Sequence, residues 1–294
     1  MSLSLLSQTR KILERHGFRP KKRLGQNFLI NQHVLEVIVN AAELDGQEAV
    51  IEIGPGLGLL TKALCRAAGL VLAVEIDATL FRILEQELAG FYNLSLVRSD
   101  ALAFDFEAWL SERDCRGKAK VVANLPYYIS SPLLFHLLKC RQLFSLWILM
   151  VQKEVAERIL AQPGSKDYGS LSIALQLHAD VESILFVSKE AFYPQPKVDS
   201  AVLKIRMRRE PRAKIEDESL FASLVRSAFA QRRKMLRNAL AHQMYPGMAK
   251  EVWDRTFERA AISPRRRGET LGIEEFARLA NHLYWERKGY VSHR

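Results

Sequence analysis

Three polar groups at the ends of apolar runs carry the clearest chemistry in this 294-residue sequence: Glu75, Asp100 and Asn124. Leu70–Val74 runs into Glu75, Leu94–Val97 leads to Asp100, and Lys120–Ala123 runs into Asn124. Ligands of open α/β sheets bind at the carboxyl ends of strands, where an acidic group can accept both hydroxyls of a ribose. A second acid there can accept from the exocyclic amine of an adenine. A further run, Ala49–Ile53, leads into Gly54-Pro55-Gly56-Leu57-Gly58. Glycines at a strand-to-helix turn let the backbone bend sharply and a ligand approach it closely. The spacing is not the dinucleotide fingerprint, because Leu59 stands where the third glycine belongs, and it is not a P-loop, because no Gly-Lys-Ser/Thr follows. The plain structural alternative is capping: Asp77, Asp100 and Asn124 are residue types that start helices and turns.

The sharpest motif is Asn124-Leu125-Pro126-Tyr127. It resembles the Asp/Asn-Pro-Pro-Tyr/Phe loop of enzymes that methylate exocyclic amines of bases. The Glu52-x-Gly54-x-Gly56-x-Gly58 pattern likewise resembles the first motif of S-adenosylmethionine-dependent methyltransferases. An adenine N6 amine is planar, with its lone pair delocalised into the ring, and it becomes nucleophilic as the nitrogen turns tetrahedral. Acceptors that hold its two N–H groups out of plane favour that state, and the Asn124 side-chain oxygen and the Leu125 carbonyl can supply them. Pro126 stiffens the turn and has no N–H to compete. Tyr127 can stack on an extruded base. No strong general base is required, so positioning carries most of the work.

These groups need a rigid frame, and the periodicity provides one. Apolar strand runs at Ala49–Ile53, Leu70–Val74, Leu94–Val97, Lys120–Ala123 and Leu146–Val151 alternate with helical spacing at His33–Glu43, Leu59–Ala67, Leu80–Leu88 and Leu133–Leu138. Continuous apolar strands between helices imply a parallel sheet covered on both faces, a Rossmann-like doubly wound α/β domain. Val181–Val187 and Ala201–Ile205 are expected to add edge strands. The charged, Pro-containing stretch Arg206–Lys214 reads as a linker, so the expected domains are 1–207 and 208–294. The second is expected to be a smaller all-helical domain, with helices at Leu220–Ala230, Arg233–His242, Lys250–Ala260 and Ile273–Trp285. The first 25 or so residues read as a basic arm.

Charge is distributed unevenly. The chain carries a net +10, and Lys204–Arg294 alone holds 21 Lys and Arg against 11 Asp and Glu. A second cluster, Arg10, Lys11, Arg15, Arg19, Lys21, Lys22 and Arg23, is opposed only by Glu14. A neutral body with a basic end and a basic arm suggests a polyanion partner, against the plainer reading of a solvated surface. Composition excludes a disordered or low-complexity chain. The odd cysteine count of three, at wide spacing, gives neither a disulfide framework nor a metal pair, so no metal is expected and the compartment is expected to be reducing. No apolar run is long enough for a membrane span, and the first residues do not read as a signal peptide. A cytoplasmic location and a monomer are the expectations.

The whole chain resembles the ribosomal RNA adenine dimethyltransferase family, most of all its bacterial small-subunit branch. The resemblance rests on Lys22-Arg-Leu-Gly25-Gln26-Asn27-Phe28-Leu29, on Asn124-Leu-Pro-Tyr-Tyr-Ile-Ser130, on Gln152–Arg158, on Tyr168–Ser172, on Ala191–Ser200 and on Gln231–Asn238. It implies S-adenosyl-L-methionine as cofactor, touched by Asn27, Leu29, Gly54, Gly56, Glu75, Ile76, Asp100 and Asn124. It implies catalysis by the Asn124–Tyr127 loop, with Phe192 as a second stacking wall for the target base. Tyr128 stands where many members carry a smaller polar residue. Lys21, Lys22, Arg23, Arg232, Arg233 and Lys234 become the residues expected to meet RNA, the last three on a basic helix whose Met235 and Leu236 face inward. The implied reaction gives N6,N6-dimethyladenosine at two adjacent adenosines near the 3′ end of small-subunit (16S) rRNA, with the small ribosomal subunit as partner.

Rival readings are a large-subunit rRNA or DNA adenine methyltransferase, and an RNA-binding assembly factor in which methylation is secondary. The Asn-Leu-Pro-Tyr-Tyr-Ile-Ser loop and the Phe192-x-Pro-x-Pro-Lys-Val-Asp-Ser200 block favour the small-subunit branch. A nucleotide-dependent oxidoreductase fails on the glycine spacing.

Overall fold

A computed structural model describes residues 3–21, 24–113, 115, 117–246 and 248–289. In chain order the elements are α1 (Leu5–Arg15), β1 (Phe28–Leu29), α2 (Gln32–Ala41), β2 (Ala49–Ile53), α3 (Leu59–Ala67), β3 (Leu70–Glu75), α4 (Ala78–Glu87), β4 (Leu94–Arg98), α5 (Phe106–Ser111) and β5 (Ala119–Asn124). They continue with α6 (Ser130–Lys139), β6 (Phe144–Gln152), α7 (Lys153–Leu160), α8 (Ser170–His178), β7 (Ala179–Val187), β8 (Phe192–Tyr193) and β9 (Ser200–Met207). Four helices close the chain: α9 (Glu218–Ala230), α10 (Leu236–Gln243), α11 (Lys250–Arg259) and α12 (Ile273–Arg287). Among the described residues no helix is long and apolar enough to cross a membrane.

Seven strands form one sheet in the order β4-β3-β2-β5-β6-β9-β7. The β4-β3, β3-β2, β2-β5 and β5-β6 pairs are parallel, and β9 runs antiparallel to β6. The chain builds outward from β2 to β4, then returns to β5 and builds the other way. That reversal between β2 and β5 is where such sheets open a crevice at their carboxyl ends. The central strands β2, β3 and β5 are largely apolar because both faces are covered: Val50, Ile51, Val71, Leu72, Val121 and Val122 are fully buried, whereas the edge strands β4 and β7 carry polar residues and are partly exposed. Glu52 is the exception in β2, a carboxyl buried among them.

Side chains set the helix starts. Asn31, Asp77, Asp105 and Asp217 each accept a backbone N–H in the first turn of α2, α4, α5 and α9. Gly58 instead stands at the N-cap of α3 with φ +77°, and a Cβ there would lie 2.9 Å from Leu84 Cδ2. Glycine adopts this turn without strain at positive φ and without displacing the Leu84 and Leu88 side-chain tips.

The N-terminal arm is not plain coil. Ser4 caps α1, and Leu5, Thr9, Ile12 and Leu13 bury one face of it. The interleaved basic residues hide that spacing in the sequence. Strands β1 and β8 form a separate two-stranded pair, with Phe28 opposite Tyr193 and Leu29 opposite Phe192. Two-residue strands have no period to read.

The chain divides into two compact units, residues 1–156 with 180–207, and 157–179 with 208–294. A single cut after residue 207 therefore misplaces Glu157–Ala179, which joins the helical unit. Its Tyr168, Ile173 and Leu177 enter a core with Leu224, Trp253, Phe257, Phe276 and Leu283, and the Tyr168 hydroxyl donates to the Leu271 carbonyl at 3.0 Å. The basic segment before α10 also differs from expectation. Residues 231–233 form a turn, Lys234 a bend, and α10 starts only at Leu236. Leu236 is buried as its period requires, whereas Met235 is 44% exposed.

Candidate active site

A cleft of about 1060 Å³, measured to its open mouth, lies at the carboxyl ends of β2, β3, β4 and β5. Its wall includes Asn27, Leu29, Gly54, Gly56, Glu75, Ile76, Asp100, Asn124, Leu125, Pro126 and Tyr127. The sheet gathers Gly54 to Tyr127 because each ends or follows a parallel strand, and the arm with β1 brings Asn27 and Leu29 to the same cleft.

Gly54 (φ +70°) and Gly56 (φ +61°) turn the backbone after β2. A Cβ on Gly54 would press on the Pro126 ring at 3.1 Å, and one on Gly56 would press on Phe28 at 3.1 Å. The glycines therefore let the loop of β5 and the strand β1 close against the β2 turn. Glu75 is almost fully buried, and its Oε1 accepts the Asp77 N–H at 2.8 Å. Burial pushes the Glu75 carboxyl up to about 7, with the Asp77 charge adding to the shift. Ile76, the next residue, is half exposed beside it. Asp100 is exposed, with Oδ1 accepting the Leu102 N–H at 2.9 Å. That bond is a local turn, and it leaves Oδ2 available.

Asn124 ends β5, and its Nδ2 donates to the Asn27 carbonyl at 3.4 Å. The amide oxygen is thereby left without an intramolecular donor among the described residues. Leu125 is buried and its N–H donates to the Met150 carbonyl at 3.0 Å. The Pro126 carbonyl accepts from Ile129 N–H at 3.2 Å and from Ser130 Oγ at 3.1 Å. The Leu125 carbonyl has no hydrogen-bond partner among the described residues and can accept from a ligand amine. The Tyr127 hydroxyl shares a 2.8 Å hydrogen bond with Ser200 Oγ. Nothing is described of the Tyr128 side chain.

Phe192 takes a different place from the one expected. It is 2% exposed, packs in the core with Phe28 and Leu29, and is absent from the cleft wall. Its backbone lies opposite Leu29, so β8 anchors the arm that carries Asn27 and Leu29 instead of offering a ring. Lys21 is also committed elsewhere. Its Nζ lies 2.8 Å from the Asp77 carboxylate, which further accepts from Gln26 Nε2 at 2.9 Å and Thr79 N at 2.9 Å. Burial alone would raise the Asp77 carboxyl, but the bonds from Lys21, Thr79 and Gln26 outweigh it and hold the group below its ordinary value. Lys22 and Arg23 lie outside the described residues.

Among the other cleft residues, Phe28 and Glu52 stand out. Phe28 is visible in the sequence only as part of a motif, and its ring backs the Gly56 turn. Glu52 is visible as the acidic start of the glycine pattern. Its Oε2 is buried with no hydrogen bond of good geometry among the described residues; burial pushes its carboxyl up to about 8, the nearby Thr61 hydroxyl opposing the shift and the Glu75 charge adding to it. A bound cation beside this carboxyl would favour its ionised form and draw it back down.

In the helical unit the basic residues divide into two kinds. Arg232 donates to the carbonyls of Lys166 and Tyr168 at 2.7 and 2.8 Å and faces Glu269 at 3.6 Å. Arg266 is held by Glu275 and Thr270, and Arg237 by Asp254 at 2.8 Å. Arg233, Lys234, Arg265 and Arg267 are exposed, with no ion-pair partner among the described residues. Backbone bonds from Leu236 N to the Arg266 carbonyl (2.7 Å) and from Arg237 N to the Pro264 carbonyl (3.3 Å) join both segments into one surface.

Comparison with known proteins bears on what this arrangement serves. A family model described as ribosomal RNA adenine dimethylase matches residues 17–282. The chain is 47% identical over 279 residues to the ribosomal RNA small subunit methyltransferase A of Geobacillus sp. (strain WCH70), covering 94% of this chain and 96% of that one. Among solved structures it is similar to a dimethyladenosine transferase from Plasmodium falciparum, with a TM-score of 0.69 at 28% identity, covering 89% of this chain and 98% of the other. It is also similar to the 23S rRNA methyltransferase ErmE, with a TM-score of 0.64 at 26% identity, covering 88% and 100%.

Proposed function

Because this chain belongs to the ribosomal RNA adenine dimethylase family, we propose that it methylates N6 of two adjacent adenosines near the 3′ end of small-subunit (16S) rRNA, giving N6,N6-dimethyladenosines during subunit maturation. The observation that carries the chemistry is the pair of free acceptors at the end of β5, the Asn124 amide oxygen and the Leu125 carbonyl.

S-adenosyl-L-methionine, when bound, supplies an electrophilic methyl group on a sulfonium. Glu75 would hold its ribose hydroxyls, Asp100 its adenine amine and Ile76 the face of that adenine. Asn27, Leu29, Gly54 and Gly56 would shape the wall around it. Glu52, which burial keeps protonated in the free chain, would be favoured in its ionised form by the cationic end of the bound group.

Asn124 and the Leu125 carbonyl accept the two N–H groups of the target amine and favour its tetrahedral form, which exposes the lone pair. Asn124 is fixed for this by its bond to Asn27, and Leu125 by its bond to Met150. Pro126, seated against Gly54, keeps the loop from relaxing. Tyr127 offers a ring to the extruded base. No residue of the loop needs to take a proton before transfer, since the amine is neutral and the proton leaves afterwards. Positioning in a cleft closed by β1 and the arm supplies the rate.

Arg233, Lys234, Arg265 and Arg267 are the residues that meet RNA phosphates in this reading, while Arg232, Arg266 and Arg237 hold the surface together. A shape-reading basic face suits a folded ribosomal RNA better than a base code. A cytoplasmic location follows from that substrate.

The test uses purified protein, radiolabelled S-adenosylmethionine and small subunits lacking the native methylation, followed by nucleoside analysis. N6,N6-dimethyladenosine at two adjacent sites is the expected product. Label on large-subunit RNA or DNA instead would keep the amine chemistry and discard the target. Tight subunit binding with no label would favour an assembly role.

A further inference from the structure

The Ala191–Ser200 block ends at a residue that belongs neither to the catalytic loop nor to the cofactor wall. Ser200 is fully buried at the first position of β9, opposite Gln152 of β6. Its Oγ lies 2.8 Å from the Tyr127 hydroxyl. The two residues are not on neighbouring strands, since β6 lies between β5 and β9. The bond is possible because β9 is antiparallel to β6. Its first residue therefore sits at the carboxyl end of the parallel strands, beside the catalytic loop.

Ser200 is itself held in place. The carbonyl of the preceding Asp199 accepts the Lys153 N–H at 3.0 Å, and its Oδ1 accepts the Lys189 N–H at 3.0 Å. The ladder with β6 begins at the next position. Tyr127, by contrast, lies in a single turn of 3₁₀ helix that follows Pro126, and its ring borders the cleft. Among the described residues, this is the ring's one hydrogen-bonded tether. Burial raises the Tyr127 hydroxyl above its ordinary value, so it remains a neutral O–H group across the working pH range.

The structure assigns Ser200 as a positioning residue for the target base: its hydroxyl fixes the Tyr127 ring through their shared hydrogen bond, so that the ring keeps one orientation toward the cleft. This rests on the reading of Tyr127 as the stacking ring of an adenine methyltransferase. It also explains why a tyrosine serves where a phenylalanine ring would stack equally well. The hydroxyl makes no bond to any other described group, so its use is the tether.

The experiment is a double-mutant cycle of Tyr127→Phe, Ser200→Ala and the double variant. Steady-state transfer to unmethylated small subunits is measured together with calorimetric affinity for S-adenosylhomocysteine and thermal midpoint. An independent readout is the fluorescence of 2-aminopurine placed at the target adenosine in RNA, which is quenched by stacking. Each single variant is expected to lose about three- to tenfold in transfer, the range of one neutral hydrogen bond. The double variant is expected to lose no more than either single one, with quenching reduced and cofactor affinity unchanged. Losses that multiply in the double variant would overturn the assignment. So would full activity and full quenching in Ser200→Ala. Failure of the wild-type protein to methylate any adenosine would sink the underlying reading instead, and the two failures are told apart by the wild-type control.

Discussion

Lys21 Nζ and the Asp77 carboxylate lie 2.8 Å apart, and Gln26 donates to the same carboxylate at 2.9 Å. Asp77 is also the N-cap of α4, and its own N–H binds Glu75. One buried acid thus ties the arm that carries Asn27 to the strand end that carries Glu75. Asp77→Asn keeps the cap but loses the ion pair. It is expected to weaken S-adenosylhomocysteine binding about three- to tenfold by calorimetry, because a half-buried charge-assisted pair contributes on the order of 1 kcal/mol. Equal affinity would show that the arm is held by β1 and β8 alone. Lys21→Met should repeat the effect without lowering the salt slope of RNA binding.

Asn124→Ala removes an acceptor that has no substitute in the loop. Transfer is expected to fall by at least about a hundredfold, the scale of removing a preorganised transition-state interaction. Binding to small subunits should survive in a filter assay. Retained activity would remove Asn124 from the catalytic set.

Glu75 and Glu52 make the ligand-free chain sensitive to rising pH. Both carboxyls ionise near 4.5 when exposed, and burial pushes them up to about 7 and about 8 in the fold. The folded state therefore keeps protons that the unfolded chain has released. Their contribution is fully present below about 4.5 and is lost as pH rises through 7 and 8. The thermal midpoint should fall between about pH 5 and 8, and Glu75→Gln should flatten the part near 7. Cofactor affinity should change in the opposite sense, rising with pH across about 7, because ribose hydroxyls need the ionised Glu75 as acceptor. A pH-independent affinity would remove Glu75 from that role.

Neutralising Arg233, Lys234, Arg265 and Arg267 together should weaken subunit binding and flatten its salt dependence, by roughly one unit of slope for each phosphate no longer neutralised. Arg232→Ala should behave differently. Its guanidinium holds two carbonyls, so the expected loss is about 1–3 kcal/mol of stability in denaturant titration, with the slope little changed. An equal effect of both variants on the salt slope would show that Arg232 also faces RNA.

Gly58→Ala is expected to destabilise the protein by about 1–3 kcal/mol, since it adds strain at positive φ and brings a Cβ to 2.9 Å from Leu84. A chemical denaturation midpoint equal to that of the wild type would show that α4 yields easily.

The strands and most helices are legible in the sequence because burial on both faces leaves continuous apolar runs, and because Gly54–Gly58 and the acids end those runs. That alternation implies a parallel sheet, so Glu75, Asp100 and Asn124 can be placed at the carboxyl ends of its strands from sequence, while the strand order comes from the structure. Local pattern does not show which side chains have partners. Lys21 and Arg232 look like free cations in a basic run, yet each is consumed by groups far away in sequence, Asp77 in one case and the carbonyls of Lys166 and Tyr168 in the other. Phe192 looks like a stacking ring, but pairing with Leu29 turns it into the core. The tether of Tyr127 to Ser200 depends on the antiparallel entry of β9, a matter of strand direction that no residue type announces. Residue chemistry and periodicity determined what could be done and where the sheet would gather it. Long-range pairing, which spends donors and acceptors on distant partners, decided which groups were left free to act.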